Sequence, residues 1–342
     1  MRMRNVAGTV TVAIAVAMSA AACGGSDSTS ELVVGGWNAI VEAAEKEGKV
    51  TIYGSQGDTQ LADLKERFEA EYDIDVDVVR GGDGDLAAKV DAEAQTGRGA
   101  ADLWFAASDP MIIAADDKGY FVSPVGPAFE ADEVAWDVIS PKGTYFTSNS
   151  GVLTIGWNVN ELPEGMTDYT DFLKPEMKGR FGVIEPLAAA YVDFYLWLEE
   201  NYGDGFAEEL AAQEPKVYTS TLAMAEAVVS GEIAAATFVQ PLTSQMEAGA
   251  PVDWGIGAKG YWGPALKGGV LSSAPNPNAA QVLANFIVTR GGQEALGRDG
   301  GSILPDIEGA VGSAAEARIS DNEILTPEKV SVFQDDWRRS FQ

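Results

Sequence analysis

The chain has 342 residues, of which 46% are hydrophobic and 22% are charged, a composition typical of a folded globular protein. Its formal net charge of −29 at pH 7 repels phosphate backbones and anionic head groups, so nucleic acid is excluded as a natural partner. The sequence has no histidine and one cysteine, which excludes Ser-His-Asp and Cys-His catalysis and histidine metal sites.

Residues 1–22 have the parts of a secretory signal. Two arginines precede an uncharged, mostly apolar run, and four small residues at 19–22 lead directly to Cys23. This arrangement resembles the lipobox of bacterial lipoproteins, which implies that Cys23 is lipidated; an ordinary signal with an incidental cysteine is the alternative. Residues 23–35 begin with Gly, Ser and Asp and predict a flexible tether. We therefore expect an extracytoplasmic protein that contacts the membrane only through its lipid.

The first part of the mature chain repeats one pattern three times. Short β-rich runs lie at 50–53, 75–79 and 102–105, and each is followed by a polar loop and by apolar residues at helical spacing. This order predicts a parallel α/β sheet whose strand-end loops face a common crevice. Each loop alone is explained by turn chemistry, whereas together they favour a pocket. The candidate ligand-binding residues in these loops are Ser55, Gln56, Asp83, Ser108 and Asp109.

A second α/β unit follows, with strands predicted at 152–157, 181–184 and 233–239. A further strand at 270–273 is predicted to return to the first sheet. Polar residues again stand at strand ends and helix starts, where backbone N–H groups are unpaired. The candidate ligand-binding residues here are Ser148, Ser150, Glu185, Tyr191, Thr221 and Gln240.

The length of the chain exceeds what one hydrophobic core usually supports, so two domains are expected. The first lobe is predicted to comprise 36–148 plus 266–303, and the second lobe 149–265. Residues 304–342 are predicted to form a C-terminal helical segment that packs on the lobes. The loop at 81–85 lacks the third glycine of a dinucleotide fingerprint, and the sequence has no Walker motif, so no nucleotide site is predicted.

Six stretches of sequence carry a resemblance to a known family. They are EAAEKEGKVTIYGSQGD, FEAEYDIDVDVVRGGDGDLAAKV, ADLWFAASD, KPEMKGRFGVIEP, EAVVSGEIAAATF and GPALKGGVLSSAPNPNAAQVLANFIVTRGGQEAL. In this order they resemble the extracellular solute-binding proteins of bacterial ABC transporters, in the branch related to ferric-ion-binding proteins. The resemblance spans roughly residues 40–305.

The resemblance implies a two-lobed α/β fold of the type II periplasmic-binding-protein class, with a ligand cleft that closes by hinge motion. It further implies a non-enzymatic receptor without a cofactor, which acts as a monomer and delivers its ligand to an ABC permease and its ATPase. Ferric-binding relatives hold iron through a histidine, a glutamate and two tyrosines. Those positions fall on Gly57, Ala107 and Pro241–Leu242, none of which can coordinate ferric iron.

We therefore expect a small polar organic solute, such as a phosphonate, a sugar phosphate or a polyamine, and no metal site. The many acids, against Arg80 and Lys259 as the basic candidates, favour a cationic, zwitterionic or neutral ligand. Tyr191, Trp254 and Trp262 are candidates for an aromatic wall, although packing in the core is the better explanation for each. Three alternatives stay open: a ferric-binding protein with atypical ligands, a carboxylate- or metal-dependent extracellular hydrolase, and a surface adhesion or scaffold lipoprotein.

Overall fold

The computed structural model describes residues 31–318 and 325–342. The predicted signal and Cys23 lie outside the described residues. The strands of the described chain are β1 Lys49–Gly54, β2 Asp75–Arg80, β3 Leu103–Ala106, β4 Phe121–Val122, β5 Phe146–Ser150, β6 Thr154–Asn158, β7 Phe181–Ile184, β8 Lys216–Tyr218, β9 Ala235–Val239, β10 Val252–Gly255, β11 Ala265–Leu271, β12 Gly301–Ser302 and β13 Gly312–Ser313.

Helices follow most of these strands, as the alternating pattern predicts. Those in the described residues are α1 Trp37–Glu47, α2 Asp58–Glu71, α3 Asp83–Thr96, α4 Asp109–Asp117, α5 Trp136–Ile139, α6 Ala189–Tyr202, α7 Phe206–Ala212, α8 Thr221–Ser230, α9 Thr243–Glu247, α10 Pro277–Ile287, α11 Arg290–Leu296 and α12 Pro327–Phe341. Among the described residues, no helix is both long and apolar enough to cross a membrane.

The strands form two sheets, and each sheet defines one lobe. The first sheet has the order β13-β12-β5-β11-β3-β1-β2, with β4 also paired to β11. In it β1 runs parallel to β2 and β3, whereas β11 is antiparallel to β3 and β5. The carboxyl ends of β1, β2, β3 and β5 therefore meet at one edge. The second sheet has the order β10-β6-β9-β7-β8.

Three strand predictions need correction by two residues or more at their ends. The strand predicted at 233–239 is β9, which begins at Ala235. The run predicted at 152–157 becomes a strand only at Thr154, because the preceding residues cross between the lobes. The strand predicted at 270–273 is β11, which starts at Ala265 and ends at Leu271. Its middle contains Gly268 and Gly269, which hide the apolar alternation on which the prediction depends.

Each lobe has its own apolar core. In the first lobe, α2, α10 and α11 pack on one face of the sheet through residues such as Leu64, Phe68 and Phe286. The core of the second lobe is rich in aromatic rings, and the Phe194 and Phe238 ring centroids lie 4.5 Å apart. Burial of these side chains at about 25 cal/mol per Å² is the main term that holds each lobe together.

Two chain segments, residues 151–153 and 256–264, join the sheets, and after a turn at 257–260 the second segment runs beside the first over 262–264. The Gly151 N–H donates to the Pro264 carbonyl and the Leu153 N–H to the Trp262 carbonyl, both at 2.9 Å. The Arg318 N–H donates to the Gly263 carbonyl at 3.1 Å, so a third part of the chain reaches the same place. The lobes are therefore connected by adjacent extended segments, which is the arrangement of a hinge.

The segment expected to be helical over 304–342 is divided between the lobes. β13 joins the sheet of the first lobe, whereas α12 packs on the second lobe. Trp337 is buried there, and its ring centroid lies 5.8 Å from that of Tyr195. The apolar residues of α12 recur at helical spacing, and this stripe is the face that contacts α6.

The described chain begins against the start of α10. The Val33 N–H donates to Asn278 Oδ1 at 2.9 Å, and Asn278 Nδ2 donates to the Glu31 carbonyl at 3.1 Å. α10 follows the carboxyl end of β11, which is antiparallel to β3. These contacts therefore lie at the edge of the first sheet opposite the carboxyl ends of β1 and β3.

Candidate ligand-binding site

A cavity of about 520 Å³ lies where the two lobes face each other. Its walls come from the first lobe, from the crossing segment and from the second lobe. The lining residues are Gly57, Asp58, Thr59, Gln60, Asp63, Arg67, Arg80, Gly151, Val152, Gln240, Pro241, Ser244, Ala295, Arg298 and Asp299. A space built from both lobes and from their connection changes its volume whenever the hinge moves.

The loops after β1, β2 and β9 place this cavity at strand ends, as parallel α/β sheets generally do. The turn after β1 leads into α2, whose first residue is Asp58. Gln60 fixes this turn: its Oε1 accepts the Gly57 N–H at 3.2 Å, and its Nε2 donates to the Leu296 carbonyl at 2.6 Å. The start of α2 is thereby held against the end of α11.

Three arginines supply positive charge to the cavity. Arg80 Nε donates to the Gln56 carbonyl at 2.8 Å and lies 3.4 Å from Asp58 Oδ1. Arg67 Nε lies 2.9 Å from Asp63 Oδ1, and this hydrogen bond raises the pKa of the guanidinium. Both contacts of Arg80 use its Nε, so its terminal N–H groups are directed to no described protein acceptor. Such groups can donate to an anionic ligand.

The cavity is less acidic than the chain as a whole. Its lining holds Arg67, Arg80 and Arg298 beside three aspartates, whereas the whole sequence has 52 acidic and 23 basic residues. Sequence reasoning found Arg80 but missed Arg67 and Arg298. Arg67 stands four residues after Asp63 on the same helical face, and this spacing is the signal that could have found it.

The predicted residues Gln56 and Ser148 lie together, beside the lining of the cavity. Gln56 is 2% exposed, and its Nε2 donates to Ser148 Oγ at 3.3 Å. Ser148 Oγ lies 2.8 Å from Asn149 Oδ1, so a polar chain continues into β5. Ser55 Oγ and Gln56 Oε1 are buried without a hydrogen-bond partner in the described chain. Unpaired buried polar atoms are costly, which makes the end of β1 a place where a further donor or acceptor would be stabilised.

The candidates Asp83, Ser108 and Asp109, which follow β2 and β3, form a separate group. Asp109 Oδ1 lies 2.8 Å from Lys267 Nζ, with side-chain exposures of 10% and 14%. Lys267 was missed because it lies in the middle of β11, far from any polar loop of the sequence. Asp83 Oδ1 accepts the Ala107 N–H at 3.3 Å, and Ser108 precedes α4 as its N-cap residue. A buried ion pair therefore occupies this strand end.

The candidates of the second lobe are dispersed. Glu185 Oε1 lies 3.2 Å from Arg338 Nε of α12, and Gln334 Nε2 donates to the Pro186 carbonyl at 2.7 Å. α12 thus contacts the loop that sequence reasoning assigned to the ligand. Tyr191 packs against Phe238, with ring centroids 5.3 Å apart.

The last three candidates, Ser150, Thr221 and Gln240, lie in three different environments. Ser150 is buried, and its Oγ lies 3.4 Å from the Tyr261 hydroxyl. Thr221 begins α8 behind Ser220, whose Oγ accepts the Ala223 N–H at 3.4 Å. Gln240 is the one predicted ligand-binding residue among the lining residues of the cavity.

The two remaining aromatic candidates, Trp254 and Trp262, pack in the core of the second lobe. Trp262 is buried, and its Nε1 donates to Asp193 Oδ2 at 3.0 Å, so it is a core residue of the second lobe. Trp254 is partly buried against the same core.

Within residues 31–318 and 325–342, no group of three or more His, Cys, Asp or Glu side chains is placed to hold a metal ion. The lining residues of the cavity supply hydrogen-bonding and charged groups.

Residues 50–301 match the family described as bacterial extracellular solute-binding protein. The match covers well over half of the sequence, and the chain therefore belongs to this family. An uncharacterized protein of Haemophilus influenzae (strain ATCC 51907 / DSM 11121 / KW20 / Rd) is 27% identical over 299 residues, which are 81% of this chain and 83% of that protein. This membership confirms the predicted class of the protein, a solute-binding protein of the extracytoplasmic space.

Solved structures show the same fold. Iron-bound HitA from Pseudomonas aeruginosa has a TM-score of 0.63 at 18% identity, covering 86% of this chain and 99% of that one. AfuA from Actinobacillus pleuropneumoniae, with exogenous fructose-6-phosphate bound, has a TM-score of 0.59 at 19% identity, covering 86% and 99%. The substrate binding protein of an ABC transporter from Agrobacterium tumefaciens has a TM-score of 0.66 at 16% identity, covering 86% and 94%. The predicted two-lobed fold, that of periplasmic binding proteins of type II, is confirmed.

Proposed function

We propose that this protein captures a small polar organic solute between its lobes and delivers it to an ABC permease and its ATPase. The observation that carries this proposal is the cavity of about 520 Å³, which is lined by both lobes and by the segment that joins them. Closure of the lobes on a solute would bury the hydrogen-bonding groups of this cavity. A ligand that leaves one of them unpaired then costs about 1–3 kcal/mol, which is the basis of selection.

The charges of the cavity refine the class of solute. Arg67 is paired with Asp63 and Glu294, and Arg298 with Glu247, so the terminal N–H groups of Arg80 are the donors that remain for an anionic group. Composition alone favoured a cationic, zwitterionic or neutral ligand. We therefore infer a solute with one anionic group beside hydroxyl or amino groups, which would meet the aspartates of the same wall. Phosphonates and sugar phosphates have this chemistry, and a polyamine fits it poorly.

Ferric iron is the less favoured ligand, although iron-bound HitA has the same fold. Gly57 and Pro241 line the cavity at positions where ferric-binding relatives carry iron ligands, and neither has a side chain that binds a metal. A trivalent cation needs anionic oxygen ligands. The residues of this cavity therefore suit an organic solute better than they suit ferric iron.

A thermal-unfolding screen of the purified mature protein tests the proposal. The panel contains phosphonates, sugar phosphates, polyamines and ferric citrate, and titration calorimetry follows each stabilising compound. A ligand at 100-fold excess over its Kd should raise the unfolding free energy by about 2.7 kcal/mol. Stabilisation by no member of a broad panel would overturn the receptor proposal. Release of a chemically altered product would instead indicate the hydrolase alternative.

Anchoring through Cys23 is part of the same proposal. A lipid on this residue would keep the receptor beside its permease, on the outer side of the membrane. Labelled palmitate should be incorporated into the wild-type protein in cells and not into Cys23→Ser. Equal membrane association of the two forms would contradict lipidation as the mode of attachment. We propose that the receptor acts as a monomer, which sedimentation of the mature Cys23→Ser protein would test.

A further inference from the structure

The two lobes also contact each other directly at one rim of the cavity. Thr243 Oγ1 donates a hydrogen bond to Asp299 Oδ1 at 2.7 Å, and Arg298 Nη2 lies 3.3 Å from Glu247 Oε1. Thr243 and Glu247 belong to α9 of the second lobe, whereas Arg298 and Asp299 follow α11 of the first lobe. These contacts join the lobes without passing through the crossing segments.

α9 and the turn that faces it are placed so that the contact between them can break and form again. Thr243 and Glu247 are the first and last residues of α9, four positions apart, so they lie on one face of the helix. The facing residues, Arg298 and Asp299, are neighbours in one turn. Asp299 has a left-handed backbone with φ of 55°, a region that aspartate tolerates better than most residues. Its N–H donates to the Gly309 carbonyl at 2.9 Å, which holds the turn in place.

The two contacts differ in strength. A hydroxyl that donates to a carboxylate forms a charge-assisted hydrogen bond, and the Thr243–Asp299 bond is partly buried. The Arg298–Glu247 pair is exposed, with side-chain exposures of 51% and 62%, so solvent and salt weaken it. The hydrogen bond from Thr243 is therefore the stronger of the two.

We propose that these two contacts, the Thr243–Asp299 hydrogen bond and the Arg298–Glu247 ion pair, form an interlobe latch. The latch holds the lobes together before solute binds and sets how often the cavity opens. It rests on the proposed function in so far as the cavity takes a solute. A receptor whose closed form is already populated loses less affinity to the cost of closure, so the latch raises the apparent affinity for the solute.

The test measures the distance between the lobes in the absence of any ligand. Nitroxide labels are attached to Glu66→Cys in the first lobe and Glu226→Cys in the second, both exposed, in the mature chain with Cys23→Ser. Pulsed dipolar spectroscopy then gives the distance distribution. Thr243→Val removes the hydroxyl at nearly constant shape, Thr243→Ser keeps it, and Asp299→Asn removes the charge of the acceptor.

We expect the ratio of open to closed molecules to rise about tenfold in Thr243→Val, as for the loss of one hydrogen bond to a charged group. Thr243→Ser should match the wild type, and Asp299→Asn should shift in the same direction by less. Thermal melts verify that all the variants are folded. Identical distributions in Thr243→Val, Asp299→Asn and the wild type would overturn the latch. Because no solute is present, this outcome would leave the proposed function standing.

Discussion

Asp102 and Asn276 lie 174 residues apart in the sequence, yet Asp102 Oδ1 accepts the backbone N–H of Asn276 at 2.7 Å. Asp102 Oδ2 also accepts the Thr51 N–H at 2.7 Å. One fully buried carboxylate thus joins β1, the start of β3 and the start of α10. These elements form the edge of the first sheet that lies opposite the cavity.

The pH dependence of stability should report on Asp102. Burial raises the pKa of this carboxyl to about 6, with a further rise from Glu47 and an opposing effect from its hydrogen bonds to Thr51 and Asn276. Because the folded-state pKa is raised above the ordinary value of about 3.8, the native protein binds this proton at a higher pH than the unfolded chain does. The contribution of Asp102 to stability therefore increases as the pH falls from about 6 towards 4.

Asp102→Asn removes this titration. We expect the wild type to gain about 1–3 kcal/mol relative to the variant between pH 7 and pH 4, measured by urea unfolding at each pH. Asp137→Asn, at an exposed position, is the control and should follow the wild type. A constant difference between wild type and Asp102→Asn over this range would show that the buried carboxyl does not titrate there.

Arg80 should contribute to affinity for the solute. Arg80→Met removes the terminal N–H groups that face the cavity, so the Kd of the ligand found by the screen should rise about 10- to 100-fold. Titration calorimetry gives the Kd directly. Arg98→Met changes an exposed arginine outside the cavity lining and should leave the Kd unchanged. Equal Kd values for Arg80→Met and Arg98→Met would remove Arg80 from the binding site.

Arg318 should stabilise the junction of the lobes. Its Nη2 lies 3.1 Å from Asp193 Oδ1, with side-chain exposures of 19% and 1%, and Asp193 also accepts the Trp262 Nε1–H. Hydrogen bonds to Glu200 and Asp193 raise the pKa of the Arg318 guanidinium. Arg318→Met leaves a buried carboxylate without this cation, and we expect a loss of about 3 kcal/mol in unfolding free energy.

Arg180→Met is the matched control for Arg318. The Arg180–Glu161 pair is exposed at 40% and 46%, and pairs of this kind contribute about 0–1 kcal/mol. Chemical denaturation of both variants measures the difference. Losses of the same size would mean that burial of Asp193 has no energetic consequence.

Two glycines should respond oppositely to alanine. A Cβ at Gly268 in β11 would lie on the Trp104 carbonyl of the neighbouring strand, whereas a Cβ at Gly84 in α3 meets nothing within 4 Å. Gly268→Ala should therefore lose about 3 kcal/mol or more. Gly84→Ala should gain about 0.5–1 kcal/mol. Denaturant midpoints measure both, and a neutral Gly268→Ala would contradict the close approach of β11 and β3.

Local pattern predicted the strands well where the apolar run is continuous. The strand at 181–184 coincides with β7, because four buried residues there stand between charged and proline-containing segments. The loops after β1 and β3 were also predicted from local sequence, because polar residues directly follow each apolar run. In both cases the signal lies within a few residues of the element that it predicts.

The cavity itself was only partly predictable. Arg298 and Asp299 line it from a turn after α11, and no local pattern distinguishes that turn from any other polar turn. Glu185 was assigned to the ligand, yet its partner Arg338 lies 153 residues further along the chain. Pairings of this kind depend on where α12 packs, which a single sequence does not reveal.

The hydrogen bonds between Asn278 and residues 31–33 have a consequence for orientation. The described chain begins at the end of the first lobe opposite the cavity. In the proposed form anchored through Cys23, the cavity would lie on the side of the first lobe away from the anchor. Transfer of solute to a permease in the same membrane would then require the whole protein to rotate.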